Sequence, residues 1–281
     1  MRRHPLFRSI WVLANLLLVA SALYLLYALC WEYSTRQYLK GFSDAVVPAN
    51  APPEEKVQAI LDWMKSGPVR HDGLVIGVMP LRDPEETLNY RSLLRVCGSA
   101  TNAFVNLGFS SGLEVRRLLL LNAQGSTSHV DAQVLLDGRW IVVDPTFRII
   151  LRGSDGAFLT RQQLENPLVF QFATAGLANY QPYYSFAQTA HLHLARFKFV
   201  GPVFGRIWTT LFPGWDASPF MTLLVERTSF AACALAAVLF VLFLILRSVL
   251  GWYAAAQLGI QRVRLTDRLR RSAAAFLKQP S

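Results

Sequence analysis

Cysteine is too scarce here for a disulfide framework. Three cysteines occur in 281 residues, and Cys30 and Cys233 lie inside long apolar runs, so Cys97 has no partner in the stretch between them. Acid is nearly missing from the two ends. Outside residues 32–227 a single acidic residue, Asp267, stands against 10 Lys+Arg, whereas residues 32–227 hold 18 Lys+Arg against 17 Asp+Glu. Nine of the ten excess positive charges therefore flank the apolar runs and form no basic face of the kind nucleic acid requires, so the reading is of no nucleic-acid partner. No D-x-D-x-D-G loop is present, which leaves calcium activation without support.

Apolar sequence is what the chain has in excess. Hydrophobic residues make up 53% of it and the mean hydropathy is +0.30, high for a wholly soluble chain. Ile10 to Cys30 gives 21 residues without a formal charge, enough to cross the hydrocarbon core as a helix. Arg2, Arg3 and Arg8 precede it and place the N-terminus in the cytoplasm. Ala20, Ser21 and Ala22 raise a cleaved signal peptide as the rival, but the run continues well past them. Lipidation of Cys30 is disfavoured by the bulk of Leu29 before it. Ser229 to Leu246 gives 18 further uncharged residues, after which Arg247 can snorkel and Arg262, Arg264, Arg268, Arg270, Arg271 and Lys278 hold the C-terminus in the cytoplasm.

Two spans with both ends inside leave residues 32–227 outside. The chain divides into a basic N-terminus (1–9), a transmembrane helix (10–31), a linker (32–52), a folded domain (53–190), an aromatic juxtamembrane segment (191–227), a second transmembrane helix (228–250) and a basic tail (251–281). Phe197, Phe199, Phe204, Trp208, Phe212, Trp215 and Phe220 give the juxtamembrane segment the look of an interfacial belt. Leu258, Leu265, Leu269 and Phe276 keep a helical stripe among the tail arginines, which suits either an anionic lipid surface or a cytoplasmic partner. A transporter or channel role fits poorly, because the spans carry no internal charge.

Within the domain, Pro53 to Lys65 reads as a helix whose Val57, Ile60, Leu61 and Met64 form one stripe. Asp83 and Pro84 open a second, short one. From Cys97, Ala100, Ala103, Phe104 and Leu107 fall at helical spacing and Gly108 fits the stop. Cys97 thus stands at a helix N-terminus, where free N–H groups favour a thiolate; the alternative is a buried cysteine acting as a small hydrophobe. Leu113 to Leu121 is a strand. His129 to Leu136 and Arg139 to Asp144 are two more, joined by Asp137-Gly138 as a two-residue hairpin turn. Followed back along the ladder, that turn sets Asp144 opposite Asp131 and makes His129 and Asp144 diagonal neighbours on one face, ~7–8 Å apart along the backbone. A slip of one residue would separate them. Thr160 and Gln163 form a capping box for a helix beginning at Arg161. Tyr180, Tyr183 and Tyr184 close a core edge or line a substrate groove. His191 and His193 have H-x-H spacing but no cysteine and few carboxylates nearby, so no metal site is expected.

The ordered set of Cys97 before an alanine-rich helix, His129 opening a strand, and LDGRWIVVDPTF carrying Asp144 resembles the transglutaminase-like superfamily of papain-type cysteine enzymes, over roughly residues 55–185. The resemblance implies an α+β domain, N-terminal helices packed on an antiparallel sheet, with Cys97 as nucleophile, His129 as base and Asp144 as orienting group. Asp131 competes with Asp144 for that last role. The Cys97 backbone N–H is a natural oxyanion donor, with Asn89 or Tyr90 as the second. The expected chemistry is attack on an amide to give a thioester, resolved by water in a protease or amidase and by an amine in a transglutaminase. No cofactor is called for. The expected partners are membrane lipid and a peptide or protein substrate in a bacterial cell envelope, with an envelope-assembly partner as a further option. A catalytically silent subunit that keeps the fold for binding is the rival.

Overall fold

The computed structural model describes residues 5–66, 84–88, 96–193 and 201–259. Two compact units emerge: residues 30–232, and the two terminal segments that flank them.

The terminal unit is built from the outer parts of two long helices, α1 (Pro5–Val46) and a final helix, Thr228–Ala256. Both are long and apolar enough to cross a membrane. Their bulky side chains stay exposed, Leu16, Leu23 and Leu26 on one and Val238, Leu242 and Ile245 on the other, while Ala14, Ala28, Ala236 and Ala254 are buried. Small residues let helix backbones approach where lipid gives no hydrophobic drive to associate. Arg247 Nε donates to Asn15 Oδ1 at 2.8 Å, and its guanidinium lies 5.7 Å from the Trp11 ring centre.

In the central unit, α2 (Pro53–Lys65) begins with proline at its first position and buries the four residues of its stripe. A single turn, α3 (Pro84–Thr87), precedes α4 (Cys97–Ser110). The sheet follows: β1 (Val115–Leu121), β2 (Thr127–Leu136), β3 (Arg139–Asp144) and β4 (Ile149–Ile150). After α5 (Arg161–Leu164) and α6 (Pro167–Thr174), β5 (Thr189–Ala190) completes an antiparallel sheet in the order β4-β3-β2-β1-β5. Then come α7 (Gly201–Leu211), a short 3-10 turn (Trp215–Ala217), α8 (Pro219–Glu226) and the Thr228–Ala256 helix, numbered α9.

Strand alternation splits the core in two. Val115, Ala132, Val134, Ile141 and Val143 face α2 and α4, together with Phe104 and Leu107. On the opposite face Leu118, Leu120 and Val142 pack with Leu151, Leu159, Leu164 and Phe186. Asp137 (φ 48°) and Gly138 (φ 74°) are both left-handed, as a type I′ turn requires, and Leu136 pairs with Arg139, Leu135 with Trp140 and Ala132 with Val143. The register is the one the D-G turn implies. The capping box also forms: Gln163 N donates to Thr160 Oγ1, and Thr160 N to Gln163 Oε1.

Three boundaries differ from expectation. Residues 32–46, read as linker, continue α1 without a break; Leu39 and Val47 are fully in the core and Phe42 meets Trp63 edge to face at 5.1 Å. The stripe Leu39, Phe42, Val46 is helical in spacing, and the core of the domain therefore begins near residue 39, before Pro53. Residues 219–227, counted as juxtamembrane, bury Thr222, Glu226 and Arg227 in this unit, and Ser229, counted in the second span, is buried with them. Gly108 is not the helix stop. α4 runs on to Ser110 and Gly112 (φ 77°) turns the chain, while a Cβ on Gly108 would lie 2.6 Å from Val115 Cγ2. Helix and β1 approach through that missing side chain. In the aromatic segment Trp208 stacks on Phe212 at 5.2 Å and both are exposed. Phe197, Phe199, the side chain of Phe204, Asp83 and the tail beyond residue 259 lie outside the described residues.

Candidate functional site

The hairpin brings His129 and Asp144 together. Nε2 of His129 donates to Asp144 Oδ2 at 2.9 Å, and Asp131 Oδ1 lies 3.2 Å from the same nitrogen. All three side chains are fully buried. Asp144 Oδ1 accepts from the backbone N–H groups of Thr146 (2.9 Å) and Phe147 (3.1 Å), an Asx turn made where β3 runs into Pro145. One oxygen of Asp144 is thus fixed by its own backbone and the other is aimed at the imidazole. Asp131 has no such anchor, and neither of its oxygens meets a hydrogen-bond donor in good geometry.

Charge decides the state of the ring. Burial works to lower the His129 pKa, but the carboxylates of Asp131 and Asp144 outweigh it and hold the imidazolium well above its ordinary range. Burial, then the charge of Asp144, pushes the Asp131 carboxyl up to about 7. Because carboxylates accept only, Nε2 carries a proton in either state of the ring, and Nδ1 is the nitrogen whose proton is exchangeable.

Aromatic rings hold the imidazole in place. Tyr184 stacks on it at 4.3 Å and 17°, while Tyr180 and Phe147 each stand 6.2 Å away. Tyr180 is half-buried with its hydroxyl oxygen enclosed and unpartnered, and burial together with the charges of Asp131 and Asp144 raises its pKa strongly. Tyr183 is exposed. Two of the three tyrosines therefore wall the imidazole, closer to the core-edge reading than to a groove. Thr146 Oγ1 and His129 Nδ1 are also buried without hydrogen-bond partners. Buried unsatisfied polar atoms are scarce in folded proteins, and here they gather around one ring.

Cys97 opens α4, half-buried, with Val96 extended before it. Ser99 Oγ donates to Val96 O at 2.8 Å and closes the first turn. One turn on, Thr101 Oγ1 donates to Val130 O at 2.8 Å, which fastens the helix to the residue next to His129. No hydrogen bond joins Cys97 to His129 Nδ1. Asn89 and Tyr90 lie outside the described residues.

His191 and His193 do not converge. His191 Nδ1 donates to Arg117 O at 2.6 Å, and His193 Nδ1 pairs with Thr127 Oγ1 at 3.0 Å. His129, Asp131 and Asp144 do offer three ligand atoms within 4.8 Å of one another, a nitrogen and oxygen set of the sort divalent ions accept. With all three fully buried, such an ion would be structural, since a catalytic metal needs a coordination position open to substrate. The sequence pointed to Asp131 only as a competitor of Asp144; their sharing of one nitrogen follows from facing pairs in the ladder. The stacking of Tyr184, some fifty residues from His129, had no sequence signal.

Comparison with protein-family models, with curated proteins and with solved structures finds no match.

Proposed function

We propose that the protein is a membrane-anchored cysteine enzyme of the transglutaminase-like, papain-type class, acting on amide bonds of a peptide, a protein or another envelope component. The observation that carries the reading is the buried imidazole whose Nε2 is held by Asp144, with Asp131 3.2 Å away, while Nδ1 is left without a partner. A structural histidine has no use for an orphaned ring nitrogen.

In this mechanism Cys97 is a thiolate paired with the imidazolium, favoured by its place at a helix N-terminus and by the Asp144 carboxylate behind His129. The sulfur attacks the amide carbonyl, a C–S bond forms, and the oxyanion is held by the Cys97 N–H. Collapse breaks the C–N bond, and the departing amine takes the Nδ1 proton. Water or an amine then attacks the thioester, gives its proton to Nδ1, and the C–S bond breaks to restore the thiolate. Asp144 fixes the ring and Asp131 adds charge. The α1 and α9 segments serve as spans with both termini in the cytoplasm of a bacterium and residues 32–227 in the periplasm.

A second reading, a silent binding or assembly subunit, is favoured by one feature: His129 is sealed beneath Tyr184 and its Nδ1 makes no hydrogen bond. The alkylation rate of Cys97 against pH, in the intact protein and in His129→Ala, separates the two. The enzyme predicts fast labelling below pH ~7 that slows in the variant. An ordinary thiol profile, unchanged by the substitution, leaves the silent subunit.

A further inference from the structure

On the sheet face that carries His129, but further along the strands, a cavity of about 380 Å³ opens between β1, β3, β5 and the segment around Asp216. Arg116, Arg139 and Arg161 line it, with Trp140 and His191, and Asp216 is its only acid among the described residues. This is an unusual wall. Side chains of β1, β3 and α5, remote in sequence, deliver three guanidinium groups to one small volume.

One of these cations, Arg116, has no counterion of its own among the described residues. The Arg116 guanidinium lies 3.9 Å over the Trp140 ring, and its Nε donates to the neutral Gln133 Oε1 at 2.9 Å. Neither neighbour carries charge, and Arg116 makes no ion pair among the described residues. Burial pulls its pKa down to about 10 against the attraction of Asp216. Arg161 pairs with Glu165, yet its Nε is buried with no hydrogen-bond partner. Burying a cation without an anion is costly, and proteins tolerate it where a ligand supplies the missing charge. His191 reads the same field: burial lowers its pKa, the carbonyl of Arg117 and the charge of Asp216 resist, and Arg116 and Arg161 lower it further.

We infer that this pocket binds the terminal oxyanion of a phosphate monoester. Arg161 is already paired with Glu165, so Arg116 and Arg139 less Asp216 leave one positive charge for a ligand to offset. Three guanidinium groups lining one volume can donate to the three oxygens of a terminal phosphate, where a carboxylate offers two. The planar forks of arginine match phosphate oxygens, and the stacking on Trp140 holds Arg116 in place before the ligand arrives. The volume suits a small headgroup. The site stands independently of what Cys97 does.

The test uses the full chain in a phosphate-free maltoside detergent, titrated calorimetrically with glycerol phosphate and with inorganic phosphate, and with acetate as the monoanion. Saturable binding of the phosphates, at least ~10-fold tighter than acetate, is expected. Arg116→Gln and, separately, the surface substitution Arg139→Gln should each weaken it by about 10-fold, the loss of a charge-assisted hydrogen bond. Binding that does not saturate, that acetate matches, or that both variants retain in full overturns the proposal. Arg139→Gln guards against a folding defect in the Arg116 variant. Repeating the titration in bilayer discs of phosphatidic acid and of phosphatidylcholine identifies the source: loss of the soluble signal only in phosphatidic acid assigns a lipid headgroup, and its persistence in both assigns a soluble phosphoester.

Discussion

Asp131 and Asp144 approach the same nitrogen of His129, but only Asp144 is held by its own backbone. Their substitutions should differ for that reason. Asp144→Asn removes both the charge and the aim of the ring, and Cys97 alkylation at pH ~6 should fall at least ~10-fold, one pKa unit of lost imidazolium stabilisation. Asp131→Asn leaves the ring aimed. Its carboxyl titrates near 7, protonated below and charged above, so the alkylation profile of the parent should carry an inflection near pH 7 that this variant lacks. A parent profile that is flat there would separate Asp131 from the chemistry. The pairing of His129 with Asp144 was legible because a D-G turn fixes register, and register fixes which side chains share a face. The cationic cavity was not. Its three arginines come from β1, β3 and α5, and the near-neutral balance of residues 32–227 conceals a local excess of charge.

At the level of elements, close approaches decide more than propensity does. Gly108 looked like a helix terminator because glycine commonly is one, yet it sits inside α4, where Val115 leaves no room for a Cβ. Gly108→Ala should destabilise the domain by about 1–3 kcal/mol through overpacking, read as a lower urea midpoint with unchanged slope. A neutral result would show that α4 and β1 can part without cost. At the hairpin, Gly138 is left-handed with open space around it, so Gly138→Ala tests backbone conformation alone. It should cost about 1–2 kcal/mol, and more labelling at Cys97 should be lost than stability if the register slips. The missed continuation of α1 has a different cause. Val47-Pro48 and the prolines at 52 and 53 drew the boundary early, while the stripe Leu39, Phe42, Val46 lay among charged residues that an isolated helix would expose.

For the molecule as a whole, the informative feature is a buried polar network between elements far apart in sequence. Arg227 NH1 lies 3.2 Å from Glu32 Oε1 and its Nε donates to Asn106 Oδ1 at 2.9 Å; Ser229 Oγ donates to Glu32 Oε2 at 2.7 Å. Glu226 pairs with Arg117 at 3.0 Å and accepts from Asn102 at 2.9 Å. The network joins α1, α4, β1, α8 and the start of α9, and both members of each ion pair are almost wholly buried. Removing one partner strands the other, so Glu32→Gln should cost about 3–5 kcal/mol, whereas Glu32→Gln with Arg227→Met should recover most of it. Equal losses in the single and double variants would mean that the pair contributes nothing to the fold. This arrangement also decides how the chain can be shortened. A fragment cut at Pro48 and Pro219 to free the sheet from its apolar helices would discard Glu32, Arg227 and Ser229 together with Leu39 and Phe42. Asn102, Asn106 and Arg117 would then face water or one another, and an inactive, aggregating product would say nothing about the parent. The smallest piece worth expressing starts near Trp31 and keeps Ser229.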